Sequence, residues 1–126
     1  DADGPNLPVV DVSGNLVAGT SYNGAILLLN ETVDPSENVT EEVDEEALEH
    51  QFFYTIGGNL DVATEYENFD ADGNPLGTLL MLSTGEASSG TLTLTLRHEP
   101  NKPNTGLSDA GGETDIEVTF NVAVVD

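Results

Sequence analysis

Hydrophobic and polar residues alternate along most of this chain, which is the pattern of half-buried β-strands. The clearest run is residues 90–98, where Leu92, Leu94 and Leu96 alternate with threonines. Residues 116–124 repeat the pattern, with Ile, Val or Phe at every even position. Further strands are predicted at residues 7–12, 24–29, 47–56, 61–66 and 77–83. The segment at residues 7–12 is predicted to be an edge strand, because Pro8 has no backbone N–H for a central ladder.

Turns rich in Gly, Asp, Asn and Pro separate these runs. They lie at residues 56–59, 70–75, 84–90 and 100–112. Six or seven short strands at this spacing indicate a β-sandwich. We therefore predict a two-sheet antiparallel sandwich with an immunoglobulin-like Greek key and about seven strands, in preference to a closed barrel.

One acidic segment interrupts the strand pattern. Residues 37–49 contain seven Asp and Glu residues and no basic residue. Thr40 is a candidate N-cap for a short helix whose first turn favours acidic side chains. Few apolar residues are available for packing, so the segment is predicted to be a connector with at most two turns of helix.

Length and composition indicate one domain. The chain has 126 residues, of which 37% are hydrophobic, and it has no cysteine. One core of ordinary size accounts for this length. Residues 7–126 are assigned to the sandwich domain. The polar residues 1–6 are interpreted as a flexible tether that follows a removed targeting segment.

A formal net charge of −22, from 24 acidic residues against one Lys and one Arg, excludes several functions. Such a polyanion cannot bind nucleic acid by neutralising phosphates, and anionic lipid headgroups repel it. Neither histidine lies in a recognisable nucleophile motif, and the chain has no tryptophan for stacking sugars. We therefore expect a protein that is not an enzyme.

The two histidines are candidate metal ligands. His50 and His98 fall on the apolar side of two strong strand patterns, near one end of each strand. If both rings lie at a common opening between the sheets, their nitrogens suit zinc, copper or a haem iron. The alternative is that each is a structural histidine bonded to a loop carbonyl or carboxylate.

A second candidate cation site lies in the turn at residues 70–75. Asp70, Asp72 and Asn74 alternate around Gly73, as in the first half of an acidic calcium loop. Met81 stands where such a loop has its bidentate Glu. The alternative is a β-turn that uses these residue types for their backbone preferences.

Four strings mark the part of the chain from residue 49 to residue 126: EHQFFY at residues 49–54, DADGNP at 70–75, TLTLRHEPNK at 93–102 and GGETDIEV at 111–118. Through these strings, residues 49–126 resemble a family of small uncharacterised lipoproteins of marine Bacteroidota. The resemblance implies a cysteine-anchored leader that has been removed and a location in the periplasm or at the outer membrane. It also implies an outer-membrane receptor or another envelope protein as the partner.

Together these observations predict a non-enzymatic binding module of the cell envelope, with metal or haem bound at His50 and His98 as an accessory to outer-membrane nutrient uptake. The alternative is a structural or adhesive module whose acidity serves solubility, with calcium at the Asp70 loop.

Overall fold

The computed structural model describes residues 14–30 and 37–126 of the chain. The strand predicted at residues 7–12 lies outside these ranges. In chain order the elements are β1 (Leu16–Val17), β2 (Ser21–Ala25), β3 (Leu29–Asn30), β4 (Glu37–Asn38), α1 (Val39–Glu45), a 3-10 helix (Ala47–Glu49), β5 (His50–Gly58), β6 (Val62–Tyr66), β7 (Leu79–Thr84), β8 (Ser88–His98), α2 (Leu107–Ala110) and β9 (Glu113–Val125).

Seven of the strands form two sheets. The first has the order β1-β9-β8-β5, the second has the order β2-β7-β6, and β3 and β4 pair separately. All pairs in the two sheets are antiparallel except β1, which runs parallel to β9. The order β9-β8-β5 is that of strands G, F and C of an immunoglobulin domain, and β2-β7-β6 is that of B, E and D. The predicted sandwich and its Greek-key topology are confirmed.

The inward-facing residues follow the alternation of the sequence. Phe52 of β5 pairs with Leu96 of β8, and both are essentially without solvent exposure. Leu80 of the second sheet belongs to the same apolar cluster, and so do Val39 and Val43 of α1. Helix α1 therefore contributes its apolar side to the core of the sandwich.

Two predicted boundaries were wrong. The strand predicted at residues 47–56 begins only at His50, because Ala47–Glu49 forms a 3-10 turn that leaves Leu48 exposed. The run at residues 24–29 is divided between β2 and β3. The other strand predictions within the described ranges coincide with β6, β7, β8 and β9 to within a few residues.

The predicted cap of the acidic helix was also wrong. The Asn38 side chain accepts a hydrogen bond from the Glu41 amide and caps α1. The Thr40 hydroxyl accepts from the Leu28 amide and donates to the Ile26 carbonyl. Thr40 therefore ties the helix to the chain that leaves β2, a contact that local sequence does not encode.

The loop at residues 100–112 folds back toward the outer face of the first sheet. Asn104 donates to the side-chain oxygen of Gln51, and Arg97 donates to the Gly111 carbonyl. Gln51, Phe53 and Thr95 are buried on this outer face. Strand β5 is consequently buried on both faces over its first half, and this fixes the position of His50 at its start.

Stability is expected to depend on salt. Among the described residues three ion pairs occur, and only the one between Lys102 and Asp70 involves a permanently charged base. The remaining carboxylates repel one another, and the Debye length falls from about 30 Å at 0.01 M salt to about 4 Å at 0.5 M. Melting temperatures measured by circular dichroism should rise over this range of NaCl. A melting temperature that does not change with salt would contradict the expectation.

Candidate metal centre

The two histidines lie directly opposite each other on neighbouring strands. His50 is the first residue of β5, His98 is the last residue of β8, and the antiparallel register pairs them. Their rings stack with centroids 4.9 Å apart and planes 21° from parallel. The structure thus brings the two predicted ligands together at one end of the sandwich.

His50 is the buried member of the pair. Only 6% of its surface is exposed, and its Nδ1 lies 3.0 Å from the Glu46 carbonyl oxygen. Because a carbonyl oxygen only accepts hydrogen bonds, Nδ1 carries the proton in this contact. The other nitrogen, Nε2, lies 3.8 Å from Asp115 Oδ2, which is longer than a hydrogen bond.

His98 is the accessible member and has two carboxylates beside it. One ligand atom each from Glu49, His98 and Glu99 lie within 4.8 Å of one another, and both glutamates are exposed. His98 Nε2 is 3.8 Å from Glu99 Oε1. The Glu99 amide donates to the Glu49 carbonyl, which holds the end of the 3-10 helix against the end of β8. The strand pattern predicted His98 as a ligand but gave no sign that either glutamate is one.

One imidazole nitrogen and two carboxylate oxygens suit a borderline divalent cation such as Zn²⁺. In a tetrahedral site with metal–ligand distances of about 2.1 Å, ligand atoms are about 3.4 Å apart. The ligand atoms must therefore approach one another by at most about 1.4 Å. The exposed glutamate side chains can move this far by changing rotamer.

The two stacked rings do not share a position for one ion. A metal bound to an imidazole nitrogen lies close to the plane of that ring, about 2.1 Å from the nitrogen. Two nearly parallel rings that face each other have no such position in common. Joint ligation by His50 and His98 stays a prediction, and it requires one ring to turn.

The predicted calcium loop already contains a positive charge. Asp70 Oδ1 accepts hydrogen bonds from the amides of Asp72 and Asn74, and Oδ2 accepts one from the Lys102 ammonium group at 2.9 Å. The Asp70 side chain is fully buried and that of Lys102 is 7% exposed. A cation bound by Asp70 would compete with Lys102, so the calcium assignment to Asp70, Asp72 and Asn74 stays a prediction.

Lys102 holds three segments together. Its ammonium group also donates to the carbonyls of Ala47 and Pro75, so all three of its N–H groups are used. Burial tends to raise the pKa of Asp70, but Lys102 and the two amides outweigh it and hold that pKa below its usual value. Lys102 was not among the predicted site residues, although its being the only lysine in so acidic a chain was a signal.

A shallow depression lies at the other end of β8. It has a volume of about 580 Å³ and is lined by Gly14, Asn15, Ser89, Gly90, Thr91, Asn121, Val122 and Ala123. None of these described lining residues has a charged or imidazole side chain, and the length of β8 separates the depression from His98. It therefore adds nothing to the metal centre.

Comparison of the chain with protein-family models, with curated proteins and with solved structures found no match in any of the three. Among the described residues, no helix is both long and apolar enough to cross a membrane. The function is therefore inferred from the chemistry of His98, Glu49 and Glu99.

Proposed function

We propose that this chain is a non-enzymatic binding module that binds a divalent transition-metal ion through His98, Glu49 and Glu99. The observation that carries the proposal is the convergence of one imidazole and two carboxylates at the ends of β8 and the 3-10 helix. Zn²⁺ and Cu²⁺ fit this donor set, since both accept mixed nitrogen and oxygen ligands.

The cluster of His98, Glu49 and Glu99 favours a metal ion over haem as the bound group. Glu99 Oε1 lies 3.8 Å from His98 Nε2, the nitrogen that would bind the iron. A porphyrin plane attached there would meet this carboxylate, and its propionates would add negative charge beside Glu49 and Glu99. A small cation instead gains both carboxylates as ligands.

The envelope setting of this function is part of the proposal. It depends on the resemblance of residues 49–126 to Bacteroidota lipoproteins, which supports a lipid-anchored accessory of outer-membrane uptake with an envelope receptor as partner. The acidic surface suits a module that collects cations, because a net charge of −22 raises their local concentration. The alternative calcium-stabilised adhesive module has less support, since Lys102 already neutralises Asp70.

Titration of the metal-free protein with ZnCl₂, followed by calorimetry at 0.15 M NaCl, tests the site. We expect one site per chain, and His98→Ala should weaken Zn²⁺ binding at least about tenfold, a loss of about 1.4 kcal/mol. The double variant Glu49→Gln and Glu99→Gln should weaken it to a similar extent, because it removes both oxygen ligands.

A charge-matched control separates ligation from general attraction. Glu65→Gln together with Glu67→Gln removes the same two charges at exposed positions in and just after β6 of the other sheet. This control should leave the Zn²⁺ affinity almost unchanged. If His98→Ala binds Zn²⁺ as tightly as the unmodified chain, the proposed function is wrong.

A further inference from the structure

We infer that His50 is a positioning residue that holds the His98 ring in its metal-binding orientation and is not itself a ligand. This inference rests on the proposed function. It gives different roles to His50 and His98, which occupy equivalent positions in the strand pattern of the sequence.

The surroundings of the His50 ring hold it in place and away from the group of candidate ligands. Its ring is buried at the start of β5, and its Nδ1 is engaged by the Glu46 carbonyl at 3.0 Å. Its Nε2 lies on the side of Asp115, at 3.8 Å from that carboxylate. The metal-ligating group is formed by His98 with Glu49 and Glu99, and His50 is not a member of it.

The stacking of the two rings also favours a supporting role for His50. The two imidazole rings, with centroids 4.9 Å apart and planes 21° from parallel, present their faces to each other, whereas metal ligation uses the ring edge. The face of His50 thus limits rotation of His98 on the side of β5. The edge of His98 that carries Nε2 lies beside Glu99, and the His98 side chain is 36% exposed.

The supporting ring also lowers the entropy that His98 loses when it binds a metal. A half-exposed histidine at a strand end has several rotamers, and ligation selects one of them. Because a fixed partner ring already limits these rotamers, the site is partly formed before the metal arrives. Removal of the supporting ring should therefore weaken binding even though no ligand atom is lost.

Two substitutions of His50 test this role in the ZnCl₂ titration. His50→Phe keeps a flat ring against His98 and has no metal-binding nitrogen, so its affinity should stay within about threefold of the unmodified chain. His50→Ala removes the ring and should weaken binding by about tenfold, the lower end of the effect of losing a group that orients a ligand. His98→Ala is the reference for the loss of a true ligand.

Imidazole ¹⁵N chemical shifts of the unmodified protein provide a readout that does not depend on how the variants fold. On addition of ZnCl₂, the His98 Nε2 resonance should move by the large shift typical of metal ligation. The two His50 nitrogens should move far less.

Each outcome decides the question. A His50→Phe variant that binds as weakly as His98→Ala, or a ligation shift at a His50 nitrogen, shows that His50 is a ligand and overturns the inference. His50→Ala binding with unchanged affinity overturns it as well. Failure of the unmodified chain to bind Zn²⁺, or an unchanged affinity in His98→Ala, contradicts the proposed function itself.

Discussion

Replacement of Lys102 by Met should lower the free energy of unfolding by about 3 to 5 kcal/mol, the usual effect of removing one partner from a buried ion pair. The Asp70 carboxylate, which is fully buried, would lose the one charged partner that it has among the described residues. The carbonyls of Ala47 and Pro75 would each lose a hydrogen bond. Urea denaturation followed by circular dichroism measures the loss.

Two further variants show whether the ion pair between Lys102 and Asp70 is responsible for the loss of stability. Arg97→Met removes the only other permanently charged base, which is half-buried and donates to the Gly111 carbonyl. It should cost less than Lys102→Met, about 1.5 to 3 kcal/mol, the scale of one hydrogen bond to a charged group. In the double variant Lys102→Met and Asp70→Asn the buried charge is gone, so part of the stability should return. Equal losses in Lys102→Met and Arg97→Met would contradict the assignment.

The effect of Lys102→Met should shrink in acid. In the unmodified chain the pKa of Asp70 is held below the ordinary value of 3.8, so the stability contributed by Asp70 is fully present above pH 3.8. It is lost as the pH falls through the lower, folded-state pKa. In the variant, burial without the ammonium raises the pKa of Asp70, so protonation in acid relieves the buried charge. A difference in stability that stays constant between pH 7 and about pH 3 would contradict this linkage.

The sandwich was predictable because apolar residues at alternate positions mark its strands in the sequence. The even-numbered leucines of β8 and the even-numbered aliphatic residues of β9 face the same side. A shift of one residue would move every one of these side chains to the opposite face of the sheet, away from the core between the two sheets. Such a constraint is visible in a single sequence, and it was sufficient to define the strand-rich fold class.

The boundaries around residues 37–50 were not predictable in the same way. Leu48 fits the parity of β5, yet the Glu49 amide bonds to the Glu46 carbonyl and the chain turns before the strand begins. Thr40 fits the sequence preference for an N-cap, but its hydroxyl is used by the backbone at Ile26 and Leu28. In both cases a tertiary contact replaced the local preference.

The candidate site was predictable only in part, for a related reason. The equivalent positions of His50 and His98 on two strands suggested that the rings meet, and the register places them opposite each other. The contribution of Glu49 and Glu99 depends on the turn of the chain before β5 and after β8. Whether Asp70 meets a metal or an ammonium group depends on Lys102, which is 32 residues away in sequence.

Phe52→Ala should destabilise the protein by about 3 to 5 kcal/mol, because it removes a large side chain from a packed core and leaves a cavity. Phe52 has no solvent exposure and pairs across the sheet with Leu96, which is 1% exposed. It also packs in the cluster that contains Leu80 of the second sheet and Val43 of α1. The cavity would therefore open where both sheets and the helix meet.

Phe69→Ala is the matched control, since it removes the same side chain from a position that is 53% exposed. Its effect should remain within about 0.5 kcal/mol, as for most surface substitutions. Both variants are compared by urea denaturation under identical salt, because the net charge makes stability depend on ionic strength. A similar loss in the two variants would show that Phe52 does not lie at the centre of the core. If only Phe52→Ala loses stability, its effect on Zn²⁺ affinity then tests whether the core that supports the start of β5 also supports the His50–His98 pair.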